Sequence, residues 1–151
     1  MAAPTRGKAQ PGKRAWARRC AAQALYEWQF TGQHPDRIAA QFLADEDLTK
    51  ADPDYFRELV RQVPARAPEI DAALEPFLDR PLAQVDPVER AILRIGGYEL
   101  THHPEIAYRI VINEAVELAK VFGADQGHRY VNGVLDKLAR AVRAVEFPGA
   151  S

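Results

Sequence analysis

A single cysteine, Cys20, excludes an internal disulfide and any multi-cysteine zinc site. It falls among Ala17, Ala21 and Ala24 on an apolar helix face, the setting of a buried, inert thiol rather than a nucleophile. No run approaches the ~18 apolar residues of a membrane span. The N-terminus has no apolar signal-peptide core, so a cytoplasmic protein is expected. Phosphate-loop and dinucleotide signatures are missing, and Gly96-Gly97 lies inside a helical pattern, where it reads as close helix packing. No stretch alternates with β-branched residues for long enough to predict a strand. Acidic residues are absent from the first 26 positions, which hold six basic ones: Arg6, Lys8, Lys13, Arg14, Arg18 and Arg19.

The formal charge of −1 hides that segregation. Taking six from the 20 basic residues leaves 14 against 21 acidic ones, a net of −7 beyond the basic start. A basic arm on a mildly acidic body suits a polyanion-binding tail, and equally a solvated terminus that aids solubility. At 151 residues the chain fits one domain able to bury ~65–70% of its unfolded surface. The expected organisation is a flexible basic arm over 1–13, a single all-helical domain over 14–147 and a short tail over 148–151.

The strongest pattern lies between Arg109 and Arg143. Val111, Ala115, Leu118 and Phe122 repeat at helical spacing, as do Val131, Leu135, Leu138 and Val142. Gly123 is placed to end the first helix in a left-handed conformation, and Asp125 to cap the second. A short loop between them predicts antiparallel packing. Upstream, helices are predicted over 14–30, with Ala17, Cys20, Ala24 and Trp28 inward, and over 35–44. Another starts at Asp52-Pro53, carrying Tyr55, Phe56, Leu59, Val60 and Val63. Asp45, Glu46 and Asp47 mark a loop before it, and Pro64 and Pro68 a turn after it. A fourth helix runs to about Arg80. A fifth, over 87–102, has Asp86 as its cap, buries Val88, Ile92, Ile95 and Tyr98, and turns Glu89, Arg90 and Arg94 outward. The fold class is therefore all-α, about seven helices in two packed groups.

Catalytic chemistry finds little support. His102 and His103 are adjacent, so on a helix they point about 100° apart and do not share a metal easily. Asn113, Glu114 and Glu117 fall on an exposed helix face. No nucleophile, base and orienting acid occur together, so the chain is not expected to be an enzyme, and no cofactor is implied. Binding chemistry is better represented. Arginine and lysine neutralise phosphates, and aromatic and amide side chains serve exposed bases. Arg14 and Arg18 lie on the first helix. Gln126, His128, Arg129, Tyr130 and Asn132 crowd the start of the last. If the two regions share a surface they make a basic and aromatic track. Tyr130 can instead be core, and Asn132 can simply satisfy the helix start.

Three motifs carry a resemblance: RRCAAQALYEWQ (Arg18 to Gln29), VERAILRIGGYEL (Val88 to Leu100) and INEAVELAKVFGADQGHRYVNGVLDK (Ile112 to Lys137). With them the chain resembles the bacterial antitermination factors of the NusB family from about Arg14 to Val142. The resemblance implies an all-helical fold of two three-helix groups and a non-enzymatic RNA-binding role. It implies joint binding, with the small-subunit ribosomal protein that acts as NusE, of boxA-like single-stranded RNA in nascent ribosomal transcripts. It further implies assembly of an antitermination complex on RNA polymerase. Carried over by motif, RNA contacts are expected from Lys13, Arg14 and Arg18 and from Gln126, His128, Arg129, Tyr130 and Asn132. Tyr26, Glu89, Arg90 and Arg94 are the candidates for the protein partner. The sequence departs from the family where Ala15 and Trp16 interrupt the arginine-rich run, and where Arg19 replaces a commonly acidic residue. Trp16 then either stacks on a base or staples the helix start to the body.

Two alternatives remain in view. One is a helical protein–protein adaptor without specific RNA binding. The other is the accessory domain of an RNA cytosine methyltransferase, which resembles this fold but needs a cofactor-binding domain that a chain ending at Ser151 leaves no room for.

Overall fold

The computed structural model describes residues 12–45 and 50–147. Most of the expected arm, the acidic positions Glu46 and Asp47, and the tail lie outside them.

Helix α1 (Lys13–Thr31) begins one residue earlier than its pattern suggested, so Lys13 is its first residue rather than the end of an arm. Its inward stripe is small: Ala17, Ala21 and Ala24 are fully buried, which lets neighbouring helices approach closely. Gly32 ends it at φ 64°, returning its N–H to the Trp28 carbonyl at 2.9 Å. Helix α2 (Pro35–Asp45) turns back and buries Ile38. Helix α3 (Pro53–Ala65) starts as its sequence predicts, with the Asp52 carboxylate accepting from the Tyr55 N–H and proline at the first turn. These three helices pack on one another as the first group. Helices α4 (Ala67–Leu74), α5 (Pro87–His102), α6 (Tyr108–Phe122) and α7 (Gly127–Val142) form the second, with α6 and α7 paired. Helix α1 joins the groups by packing against both α3 and α5. The described residues contain no strand.

Four local expectations need correction. The fourth helix stops at Leu74 and continues only as a tight turn over Glu75–Phe77. Pro76 lacks the N–H that would extend the ladder. Gly123 is extended (φ −85°, ψ 173°) rather than left-handed. A side chain there would meet the Ala119 carbonyl oxygen at 2.6 Å, so close backbone approach demands the glycine. Asp125 does not cap α7; Gln126 stands at that position at φ 70°, with no side-chain cap bond. Finally, α5 is not half-exposed. Helices α1, α3, α4, α6 and α7 all touch it, and Glu89, Leu93, Glu99 and Leu100 are buried with its apolar face.

Two features hold α5 in place. A Cβ on Gly96 would fall 2.6 Å from Leu135 Cδ1 of α7, and one on Gly97 3.1 Å from Ile70 of α4, so this glycine pair does mark close packing. Arg143, just past α7, is buried against the other end. It donates to the carbonyls of Glu99 (3.2 Å), Leu100 (2.8 Å), His103 (2.9 Å) and Ile106 (2.9 Å), and pairs with Glu146 at 2.5 Å. One guanidinium thereby gathers four carbonyls at the end of α5 and in the turn after it, two of which, Glu99 and His103, also accept backbone N–H groups.

Candidate nucleic-acid interface

The first two turns of α1 divide their cations by environment. Arg18 turns inward. Its Nε donates to Glu99 at 2.8 Å and its Nη1 to Glu114 at 3.2 Å, leaving the side chain 6% exposed. The Tyr55 hydroxyl donates to the same Glu99 oxygen. Burial opposes the charge on Arg18, but Glu99, with Tyr55 and Glu114, outweighs it and raises the pKa above its ordinary value. Burial, reinforced by Glu99, likewise drives the Tyr55 hydroxyl well above its usual range. Arg14, one turn earlier, is exposed and lies over the Tyr55 ring at 4.2 Å. Lys13 is exposed as well, and its carbonyl accepts from the Asp52 N–H at 3.1 Å. Neither Lys13 nor Arg14 makes an ion pair among the described residues. Trp16 is half-buried against the core, so its ring staples the helix start to the body.

Below Arg14 lies a second charged knot. His103 sits between two carboxylates, Nε2 to Glu58 at 2.5 Å and Nδ1 to Glu105 at 2.6 Å. Two carboxylate neighbours, one on each ring nitrogen, favour the doubly protonated imidazolium over the neutral ring. Burial pulls its pKa down, but hydrogen bonds to Glu105 and Glu58 hold it above the ordinary value.

At the start of α7, Gln126, Arg129 and Asn132 are exposed and His128 is half-buried. Tyr130 is half-buried and packs on the core, while its hydroxyl accepts from the Asp79 N–H at 3.3 Å. Arg80, bidentate to Asp79 at 2.8 and 2.9 Å, lies over the Tyr130 ring at 5.2 Å. The two regions expected to share a surface lie toward opposite ends of α6. The α1 start faces Ile110 and Glu114 near the beginning of α6, whereas α7 begins just beyond the end of α6. At 1.5 Å per residue, α6 separates the two regions by about 20 Å.

The four partner candidates fare differently. Tyr26 is 40% exposed and meets Phe30 edge-on at 4.9 Å between centroids. It lines a 370 Å³ hollow with Ala22, Gln23, Phe42, Val88 and Phe122. Glu89, expected to face outward, is buried instead. Burial, aided by Asp86, raises its pKa, and Gly127 packs so closely that a Cβ would meet its Oε2 at 2.3 Å. Arg94 is a strut, bidentate to Asp71 at 2.9 Å and bonded to Gln29 at 3.0 Å. Arg90 is half-buried, and its Nε has no hydrogen-bond partner among the described residues.

An all-helical body of two groups, with exposed cations at one helix start and an aromatic hollow elsewhere, defines a helical binding protein. Residues 16–140 match the NusB family, and the chain belongs to it. It is similar to the transcription antitermination protein NusB of Nitrosococcus oceani, 58% identical over 135 residues, which cover 89% of this chain and 90% of that one. It is also similar to that of Idiomarina loihiensis, 51% identical over 134 residues covering 89% and 96%. Among solved structures it resembles the antitermination factor NusB crystallised with NusE and double-stranded RNA. There the TM-score is 0.77 at 27% identity, covering 84% of this chain and 96% of that one. NusB of T. maritima gives a TM-score of 0.72 at 26% identity, over 87% and 92%. Membership makes this a transcription antitermination factor and not an enzyme. Among the described residues no helix is long and apolar enough to cross a membrane.

Proposed function

We propose that this protein acts in the cytoplasm by binding boxA-like single-stranded RNA of nascent ribosomal transcripts jointly with the small-subunit ribosomal protein that serves as NusE. The pair then joins an antitermination complex on RNA polymerase. The observation that carries the reading is the exposed pair Lys13 and Arg14, which no carboxylate among the described residues neutralises by direct contact. Such cations release counterions when phosphates replace water around them, the main source of nucleic-acid affinity. The α7 start adds Gln126, His128, Arg129, Tyr130 and Asn132, whose amide, imidazole and phenol groups suit unstacked bases. Arg18 supports the track from beneath, since its guanidinium is already engaged by two carboxylates.

For the protein partner, Tyr26 with the hollow beside it is the accessible anchor, an aromatic next to an apolar recess being the usual centre of an interface. Arg90 presents a buried donor with no bond among the described residues, Arg94 shapes the neighbouring surface, and Glu89 acts from beneath it.

Fluorescence anisotropy with a boxA-like strand and a scrambled control, with and without the ribosomal protein, tests this reading. Partner-enhanced, sequence-dependent and salt-sensitive binding is expected. Equal binding to both strands leaves only nonspecific RNA affinity. No RNA binding, with the ribosomal protein still bound, leaves a protein–protein adaptor.

A further inference from the structure

We infer that Lys50 and Arg19, held over the Trp16 ring, form a second phosphate-contact patch that carries the RNA backbone beyond the start of α1. This rests on the RNA-binding reading above and adds residues that the arginine-rich segment does not predict. Lys50 lies 37 positions from Lys13 in sequence, yet the fold brings it alongside. The Asp52 N–H donates to the Lys13 carbonyl at 3.1 Å, Ala51 is buried, and Asp52 caps α3, so residues 50–52 are pinned against the first turn of α1. Lys50 itself remains exposed.

The two cations share one ring. Arg19 Cζ lies 4.9 Å and Lys50 Nζ 5.4 Å from the Trp16 centroid. A cation held on an aromatic face keeps its full charge, whereas one held by a carboxylate is neutralised. Most other arginines of the body are of the second kind: Arg57, Arg61, Arg66, Arg80, Arg94, Arg140 and Arg143 all contact a carboxylate. Arg19 and Lys50 make no ion pair among the described residues. The flanks of α1 are also unlike. The recess beside Arg14 and Arg18 includes Glu105 and Glu114, which hold His103 and Arg18 as ion pairs, while the Trp16 side presents Arg19 and Lys50 without a carboxylate contact among the described residues. A backbone leaving Arg14 therefore finds its next neutralising charges around Trp16. The ring is occupied by cations, so it positions charge and does not stack a base.

The test is the salt dependence of RNA affinity, measured for the full chain with its ribosomal partner and a boxA-like strand. For single strands each phosphate contact contributes about 0.7 to the slope of log affinity against log salt. Neutralising both residues (R19Q/K50Q) should lower the slope by about 1.4, and K50Q alone by about 0.7. K50R, which keeps the charge, should retain the wild-type slope. Melting temperatures check that each variant is folded; the exposed K50Q change carries the test if the double variant is not. A folded K50Q with an unchanged slope overturns the inference. The RNA-binding reading survives that outcome. It falls instead if wild-type protein with its partner shows no salt-sensitive binding.

Discussion

Arg18 of α1 and Glu99 of α5 form a buried ion pair at 2.8 Å, and the Tyr55 hydroxyl of α3 donates to the same carboxylate oxygen. Three helices from both groups thus converge on one oxygen. Removing one partner leaves a buried charge unpaired, so Arg18→Ala or Glu99→Gln should cost about 3–5 kcal/mol. The double variant R18A/E99A should cost less than the sum of the single ones, because no charge is stranded. Urea denaturation measures all of these. A loss below 1 kcal/mol for Arg18→Ala would contradict the structural role given to it here.

The knot at His103 makes stability depend on pH, with a definite sign. Its pKa is raised above the ordinary 6.5, so its contribution is complete below that value and disappears as pH climbs through the folded one. Glu58 shifts the other way. Burial pushes its carboxyl up, but hydrogen bonds from Tyr98 and His103 prevail and hold it below 4.5. Its contribution is present above 4.5 and fades as pH falls through the lowered value. His103→Gln should therefore lose most stability relative to wild type between these two ordinary values, and the gap should narrow on the alkaline side. Denaturation midpoints across the range read it out; a gap that widens with rising pH would be the wrong sign.

Two helical glycines should respond oppositely to the same substitution. Gly133→Ala adds a methyl where nothing lies within 4 Å, so it should stabilise α7 by up to ~1 kcal/mol. Gly96→Ala drives a methyl into fully buried Leu135, an overpacking of about 1–3 kcal/mol against the same helical gain. Trimming the neighbour in G96A/L135V should restore part of the loss. Thermal melting of the three variants separates the two cases.

Most of the helices were legible because their caps and apolar spacing agree: Asp52-Pro53 and Asp86-Pro87 start α3 and α5 where the sequence indicates. The candidate site was only half legible. Lys13, Arg14 and Arg129 are exposed as basic residues in such segments suggest, but Arg18 and Glu89 are buried by helices distant in sequence, and no local pattern reports that. No sequence pattern singles out Lys50 or Arg143, for the same reason. Their significance comes from Trp16 and from the carbonyls at the end of α5, which only tertiary packing brings near. Gly123 and Asp125 misled because their residue types suit caps, whereas Ala119 crowding and the left-handed Gln126 decide the turn.

The α7 start offers a sharper probe of RNA contact than the arm does. Arg129 is exposed and makes no ion pair among the described residues, so Arg129→Gln should weaken RNA binding and lower the salt slope by about 0.7 without changing stability. Tyr130→Phe loses one 3.3 Å bond from the Asp79 N–H and should cost at most ~1 kcal/mol. Anisotropy alongside melting temperatures distinguishes a binding effect from a folding effect.

The most direct measurement is terminator readthrough by RNA polymerase on a template whose leader carries a boxA-like element, with this protein and the ribosomal partner added. Readthrough should rise only when both proteins are present, fall to background on a scrambled leader, and weaken with Lys13→Gln/Arg14→Gln. Equal readthrough on both leaders, or no dependence on the ribosomal protein, would contradict the account.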